Sequence, residues 1–290
     1  MSRWNPVELR PAFWVRSEIH LPRERTLSSP LPAMNPASSP PPACDILLFV
    51  TTEDEVKAMQ LAASSLQLAF EPRTSHELGD YFDLERVGQY RVLAVKTRMG
   101  AFQYGASTSK AILFERQTGA QRLIALGMAF GMSRKVQGFG DVLVSQSLFP
   151  YDDREMVDSP TGPAPNYSRT KYRHANAGLI AMVEREAKRT PYHFRVSFGT
   201  LLSGGARVSS QQFRDELFNH VPPGRFPVIG GDMEGVGLLA VAPADRPVWI
   251  VVKGISDFGE GPVADTVPDN RATACFNAAL LVLSAIRNDG

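Results

Sequence analysis

Ile46-Leu47-Leu48-Phe49-Val50, followed without a break by Thr51-Thr52-Glu53-Asp54-Glu55-Val56, reads as a strand passing directly into a helix. Five consecutive apolar side chains leave no polar face, a pattern suited to a strand covered on both sides. Val56, Met59, Ala63, Leu66 and Phe70 then recur at helical spacing. The same alternation continues along the chain. Apolar or β-branched runs predict further strands over 91–96, 122–126, 141–145, 194–202, 227–230 and 248–252. Helical periods fall at about 103–117, 175–188, 209–219, 233–242 and 270–287. In the last, Phe276, Ala279, Leu280, Leu283 and Ile286 share one face and are assigned to the core. The pattern is that of an α/β protein: a single three-layer domain with a largely parallel, mixed central sheet flanked by helices, spanning residues 44–290.

Composition narrows the function classes. The chain has 31 basic and 30 acidic side chains, a formal charge of +1. Nucleic-acid and anionic-membrane binding depend on clustered positive charge, so neither partner is expected. Cys44 and Cys275 are far apart, with no CxxC and no Cys/His cluster, which excludes a disulfide framework and a structural zinc site. The histidines His20, His76, His174, His193 and His220 are scattered without ligand spacing, and no metal or cofactor is expected. No uncharged apolar run approaches the ~18 residues of a membrane span, and no signal segment opens the chain, so a cytoplasmic address is the default.

Nine of the 22 prolines lie in the first 43 residues. Residues 1–43 therefore read as a mostly extended tail, because proline fixes φ and lacks an N–H. Phe13-Trp14-Val15 is an apolar patch that would dock on the domain or a partner, and a start at Met34 is an alternative. The basic positions Arg116, Arg122, Arg185, Lys188 and Arg189 are assigned to solvated faces.

In open α/β sheets ligands sit beyond the carboxyl ends of strands. Four segments qualify: 51–56, 126–131, Gly230-Gly231-Asp232-Met233-Glu234-Gly235, and Lys253-Gly254-Ile255-Ser256-Asp257-Phe258-Gly259. A helix of about ten residues and a right-handed crossover to a parallel strand would bring Glu234 and Asp257 to one pocket. There one carboxylate would stay ionised while the other, desolvated against Phe258, would be held protonated as an acid. The bland alternative is that Glu234 starts a helix and Asp257 caps a turn. Gly254-Ile255-Ser256-Asp257-Phe258 misses the GxSxG elbow at its fifth residue, and neither GxGxxG nor a P-loop occurs.

Gly-Asp-Met-Glu-Gly at 231–235 with Val-Val-Lys-Gly-Ile-Ser-Asp at 251–257 resembles the paired signature of the nucleoside phosphorylase and nucleosidase superfamily, most closely methylthioadenosine/S-adenosylhomocysteine nucleosidase. The acidic run 53–55 after the first strand agrees. The resemblance implies a nucleoside phosphorylase-like fold and hydrolysis of a purine N-glycosidic bond in an adenine-type nucleoside or nucleotide. It implies Asp257 as the acid that protonates the leaving base and Glu55 as the group that activates water. Glu234 would hold the ribose hydroxyls, with Met233 lining the sugar. Ser256 would position Asp257, and the glycine-containing loop with Gly127 and Ala129, together with Arg207 and Val208, would lie near the base. A small-molecule purine is the implied partner, and a homodimer the implied assembly.

Phosphorolysis needs convergent phosphate donors, but the positions where phosphorylases resemble one another in carrying Arg and Ser fall here on Ala125 and Met128. Hydrolysis is therefore favoured over a phosphate-dependent phosphorylase, and the trio Glu55, Glu234 and Asp257 favours an enzyme over a nucleoside-binding signalling or defence module. Three positions depart from the family pattern: Asp232 for Glu, Lys253 for Arg, and Arg207 near an aromatic position that stacks on adenine. Arg207 admits stacking, a phosphate or solvent, so a nucleotide is an open substrate. Residues 146–173 read as a long connection over the ligand or a passive excursion, with Tyr151 and Tyr167 as candidates for the substrate's 5′ end.

Overall fold

The computed structural model describes residues 40–75, 78–160, 162–261 and 268–290. The expectations for Phe13-Trp14-Val15, Met34, His20 and His76, and nearly all of the proposed tail, lie outside these residues.

Strand β1 (Ile46–Val50) is buried along its whole length and passes through Thr51 and Thr52 into α1 (Glu53–Ser65). An antiparallel meander follows, made of β2 (Glu71–Ser75), β3 (Gly79–Val87) and β4 (Tyr90–Lys96). Helix α2 (Ser107–Thr118) leads to β5 (Arg122–Ala125) and β6 (Met128–Gly131). The long β7 (Val142–Pro150) precedes the hairpin β8 (Glu155–Ser159) and β9 (Gly162–Asn166), the short β10 (Arg173–His174) and α3 (Ala177–Arg189). The chain continues through β11 (Val196–Ser203), α4 (Gln211–His220), β12 (Val228–Asp232), a 3-10 helix (Gly235–Ala240), β13 (Trp249–Asp257) and α5 (Pro268–Arg287).

Eleven strands form one mixed sheet in the order β10-β7-β11-β12-β6-β13-β5-β1-β4-β3-β2. A further pairing of β7 with β13 closes β7, β11, β12, β6 and β13 into a ring. Helix α5 packs against β13 and between α1 and α3, and α2 packs on the 3-10 helix. The central strands are apolar on both faces because helices cover both. Ala279, Leu283 and Ile286 of α5 are buried as expected, while Phe276 and Leu280 are only partly so.

Three expectations are corrected. The segment 233–242 is a six-residue 3-10 helix, not a helix of ten. Its Gly-Val-Gly start and the proline at 243 leave too little chain for α-helical turns. Strand β12 does not run parallel to β13: β6 lies between them, antiparallel to β12 and parallel to β13. Finally, 146–173 is not one long connection, since its first residues extend β7 and its middle forms the β8–β9 hairpin.

Candidate active site

The antiparallel step between β12 and β6 builds the site. Gly231 of β12 is level with Phe130 of β6, and Phe130 is level with Asp257 of β13. Because β12 runs opposite to β6, continuing beyond Gly231 carries Asp232, Met233 and Glu234 back toward Met128. Met128 N–H donates to Glu55 Oε1 at 3.2 Å. A cleft lies along this line, and its walls include Glu55, Met233, Glu234, Ser256 and Asp257.

Glu55 sits in the first turn of α1 as one half of a capping box. Thr52 Oγ1 accepts from Glu55 N–H at 3.2 Å, and Glu55 Oε2 accepts from Thr52 N–H at 3.0 Å and Thr51 N–H at 2.5 Å. The carboxylate is thus fixed by three backbone donors. Burial pushes its pKa up; Glu234 adds to the rise, while Lys253 and the N–H groups oppose it. Gly127, at φ +127, lies behind this carboxylate, and a Cβ there would fall 2.0 Å from Glu55 Oε1. Gly127 thus serves Glu55 and does not line the cleft.

Glu234 accepts from Lys253 Nζ at 3.0 Å and from Gly100 N–H at 3.3 Å. Asp232 is buried; it accepts from Ser203 Oγ at 2.7 Å and Gly235 N–H at 2.8 Å, with Lys253 Nζ 3.9 Å away. Ser203 Oγ in turn accepts from Val236 N–H at 2.8 Å. Asp232 and Ser203 therefore hold the turn that presents Glu234, with the shorter acid reaching inward. Burial pushes the Asp232 carboxyl up, against the pull of Lys253. For Lys253, buried completely, the loss of water favours the neutral amine, but the carboxylates of Glu234, Glu55 and Asp232 outweigh it and hold the ammonium charged.

Asp257 ends β13 half-buried. Its carboxylate accepts from Ser256 Oγ at 3.0 Å and Gly259 N–H at 2.9 Å, so a loop and a neighbouring hydroxyl fix its direction. The buried Arg214 of α4 donates to Phe258 O and lies 3.4 Å from Glu260, pinning that loop.

Ala129, Arg207 and Val208 also line the cleft. Ala125 is buried in β5, and neither it nor Met128 supplies a side-chain donor for phosphate. Tyr151 and Tyr167 do not reach the cleft. They are buried with Phe149 in a separate cluster, where Tyr151 OH donates to Ala206 O at 2.9 Å, because the hairpin folds their rings inward. His174, His193 and His220 are exposed, and among the described residues no three metal-ligating side chains cluster. No helix among them is long and apolar enough to cross a membrane. Sequence reasoning missed Met99 and Arg271 on the cleft wall, whereas Thr51 and Phe130 fall within the candidate segments 51–56 and 126–131.

The family model of the phosphorylase superfamily matches residues 46–287. A Death domain-containing ATP nucleosidase of Amphimedon queenslandica is 24% identical over 184 residues, 58% of this chain and 34% of that protein. The chain thus spans about a third of that relative's length. The methylthioadenosine/S-adenosylhomocysteine nucleosidase of Neisseria meningitidis, in complex with methylthio-immucillin-A, superposes with a TM-score of 0.66 at 17% identity, covering 84% of this chain and 98% of that one. Futalosine hydrolase of Helicobacter pylori gives 0.66 at 17% identity, covering 83% and 97%. These two share the fold. With a family match that runs from β1 to the last turn of α5, the chain belongs to the phosphorylase superfamily.

Proposed function

We propose that the protein is a purine nucleosidase that hydrolyses the N-glycosidic bond of an adenine-type nucleoside or nucleotide. The observation that carries this reading is the convergence of Glu55, Glu234 and Asp257 on one cleft. Departure of a purine leaves positive charge on the sugar and negative charge on the base. Asp257 gives its proton to a ring nitrogen of the leaving base, and Ser256 and the Gly259 N–H keep its carboxyl aimed. Glu234, paired with Lys253 Nζ at 3.0 Å, binds the ribose hydroxyls and favours the developing cation. A water attacks the anomeric carbon and passes its proton to Glu55, so that free base and free sugar leave. Glu55 suits this work because its raised pKa makes it a stronger base than an ordinary glutamate. Its negative charge also disfavours phosphate as the nucleophile.

The reading extends to a cytoplasmic homodimer formed by a domain of residues 44–290. Met99, Phe102 and Tyr104 are exposed on the loop before α2 and offer an apolar surface. Sedimentation velocity tests the assembly; a monomer at micromolar concentration removes it.

The chemistry is tested by incubating the protein with methylthioadenosine, adenosine, inosine, AMP and ATP, with and without phosphate, and following free base. Phosphate-independent base release is expected. Asp257→Asn should lower turnover by roughly 10²- to 10⁴-fold while ligand affinity changes far less. Ribose 1-phosphate formed only with phosphate would make the protein a phosphorylase, and binding without cleavage across the panel would make it a binding module.

A further inference from the structure

We propose that Arg207 and Arg271 form an anion-recognising end of the cleft, so that the substrate is a purine nucleoside 5′-phosphate or polyphosphate in preference to a neutral nucleoside or thioether. This rests on the nucleosidase reading and names the substrate class of the same site.

Lys253 is met by Glu234 at 3.0 Å and Asp232 at 3.9 Å. Glu260 is met by Arg134 at 2.9 Å and Arg214 at 3.4 Å. Glu55 and Asp257 are satisfied by backbone N–H groups and Ser256. Arg207 and Arg271 also line the cleft, and neither meets a carboxylate among the described residues. They come from separate elements, Arg207 from the loop after β11 and Arg271 from the first turns of α5. Arg271 is half-buried.

A half-buried guanidinium without a counter-ion loses hydration and gains nothing in return. A methylthio or other apolar substituent would deepen that loss by displacing the remaining water. A phosphate reverses it, because its oxygens match the planar fork of arginine with paired charge-assisted hydrogen bonds. The carboxylates occupy the part of the cleft assigned to sugar hydroxyls, water and base, which leaves the 5′ substituent as the portion of a nucleotide with charge to offer. Inorganic phosphate has the same chemistry, so the two sources must be separated by experiment.

The test uses the full chain and initial rates of base release from AMP, ADP, ATP, adenosine and methylthioadenosine, in phosphate-free buffer and again with inorganic phosphate. At least one nucleotide should be cleaved with kcat/KM roughly 100-fold above that of adenosine. Arg271→Ala should lower the nucleotide-to-adenosine ratio of kcat/KM roughly 10- to 100-fold, the range expected for hydrogen bonds to a charged group. Arg271→Lys should recover part of it, and Arg207→Ala should lower the same ratio. Thermal melts establish that each variant is folded. Equal or better cleavage of adenosine or methylthioadenosine overturns the inference and leaves the nucleosidase reading intact. Cleavage of adenosine that requires inorganic phosphate assigns the arginines to that ion and also overturns it. If no compound releases base, the nucleosidase reading fails, and calorimetric titration of AMP, ATP and adenosine decides the rest. Tighter nucleotide binding that weakens in Arg271→Ala and in salt sustains the inference; equal binding ends it.

Discussion

The ammonium of Lys253 lies fully buried against Glu234 and Asp232, with Glu55 and the thiol of Cys275 also within its electrostatic reach. Removing it strands carboxylates away from water, so Lys253→Met should cost about 3–5 kcal/mol of stability, measured by urea unfolding. Lys253→Arg keeps the charge and should cost less. The same groups set a pH dependence. The Glu55 carboxyl titrates above the ordinary glutamate value because of burial first and Glu234 second. Its ionised form is the base, so kcat should rise with pH through that elevated pKa. In Lys253→Met this acidic limb should move to higher pH, because a cation that favoured ionisation is gone. A limb at the ordinary glutamate value in both proteins would remove Glu55 from the role of base. Glu55, Glu234 and Asp257 could be read from the sequence because each stands within a few residues after an apolar run, in a recognisable motif. Arg271 and Met99 could not, since they reach the cleft from a helix start and a loop with no local mark of function.

At the scale of elements, one carboxylate both caps α1 and faces the cleft. Thr52→Ala removes the acceptor for Glu55 N–H and should cost about 1 kcal/mol of stability, read from denaturant midpoints. It should also lower kcat, since the turn that aims Glu55 loosens; Thr52→Ser should restore both. The strands that paired both faces with helices, β1, β4, β5 and the first half of β13, could be read as unbroken apolar runs. The polar β2, with four exposed residues of five, carries no such signal because it lies at the sheet edge. Strand β6 is only four residues long and resembles a glycine loop. Most of all, the direction of β12 relative to β13 is a matter of long-range pairing through β6 and leaves no trace in local periodicity. That antiparallel step nevertheless carries Glu234 from the level of Asp257 toward Glu55.

Across the whole molecule, the cleft depends on α5 lying close against β13. At Gly254 the helix backbone is so near that an added Cβ would fall 2.0 Å from Ala274 O and 2.4 Å from Ala274 C. Both are main-chain atoms, so no side-chain rotation relieves the clash and α5 itself must move. Gly254 adjoins Lys253 and lies three residues before Asp257, while Ala274 lies three residues after Arg271. One backbone contact therefore ties the strand bearing the ammonium and the acid to the helix bearing the arginine. Overpacking at such a contact costs about 1–3 kcal/mol or somewhat more. For a chain of this size that corresponds to a Tm lowered by roughly 2–12 °C, measured by calorimetry. If the arginine is placed by this contact, Gly254→Ala should also lower the preference for nucleotide over adenosine, measured well below the new Tm. A variant that keeps its Tm and its preference would mean that α5 is positioned by its packing on α1 and α3, and that Gly254 does not set the width of the cleft.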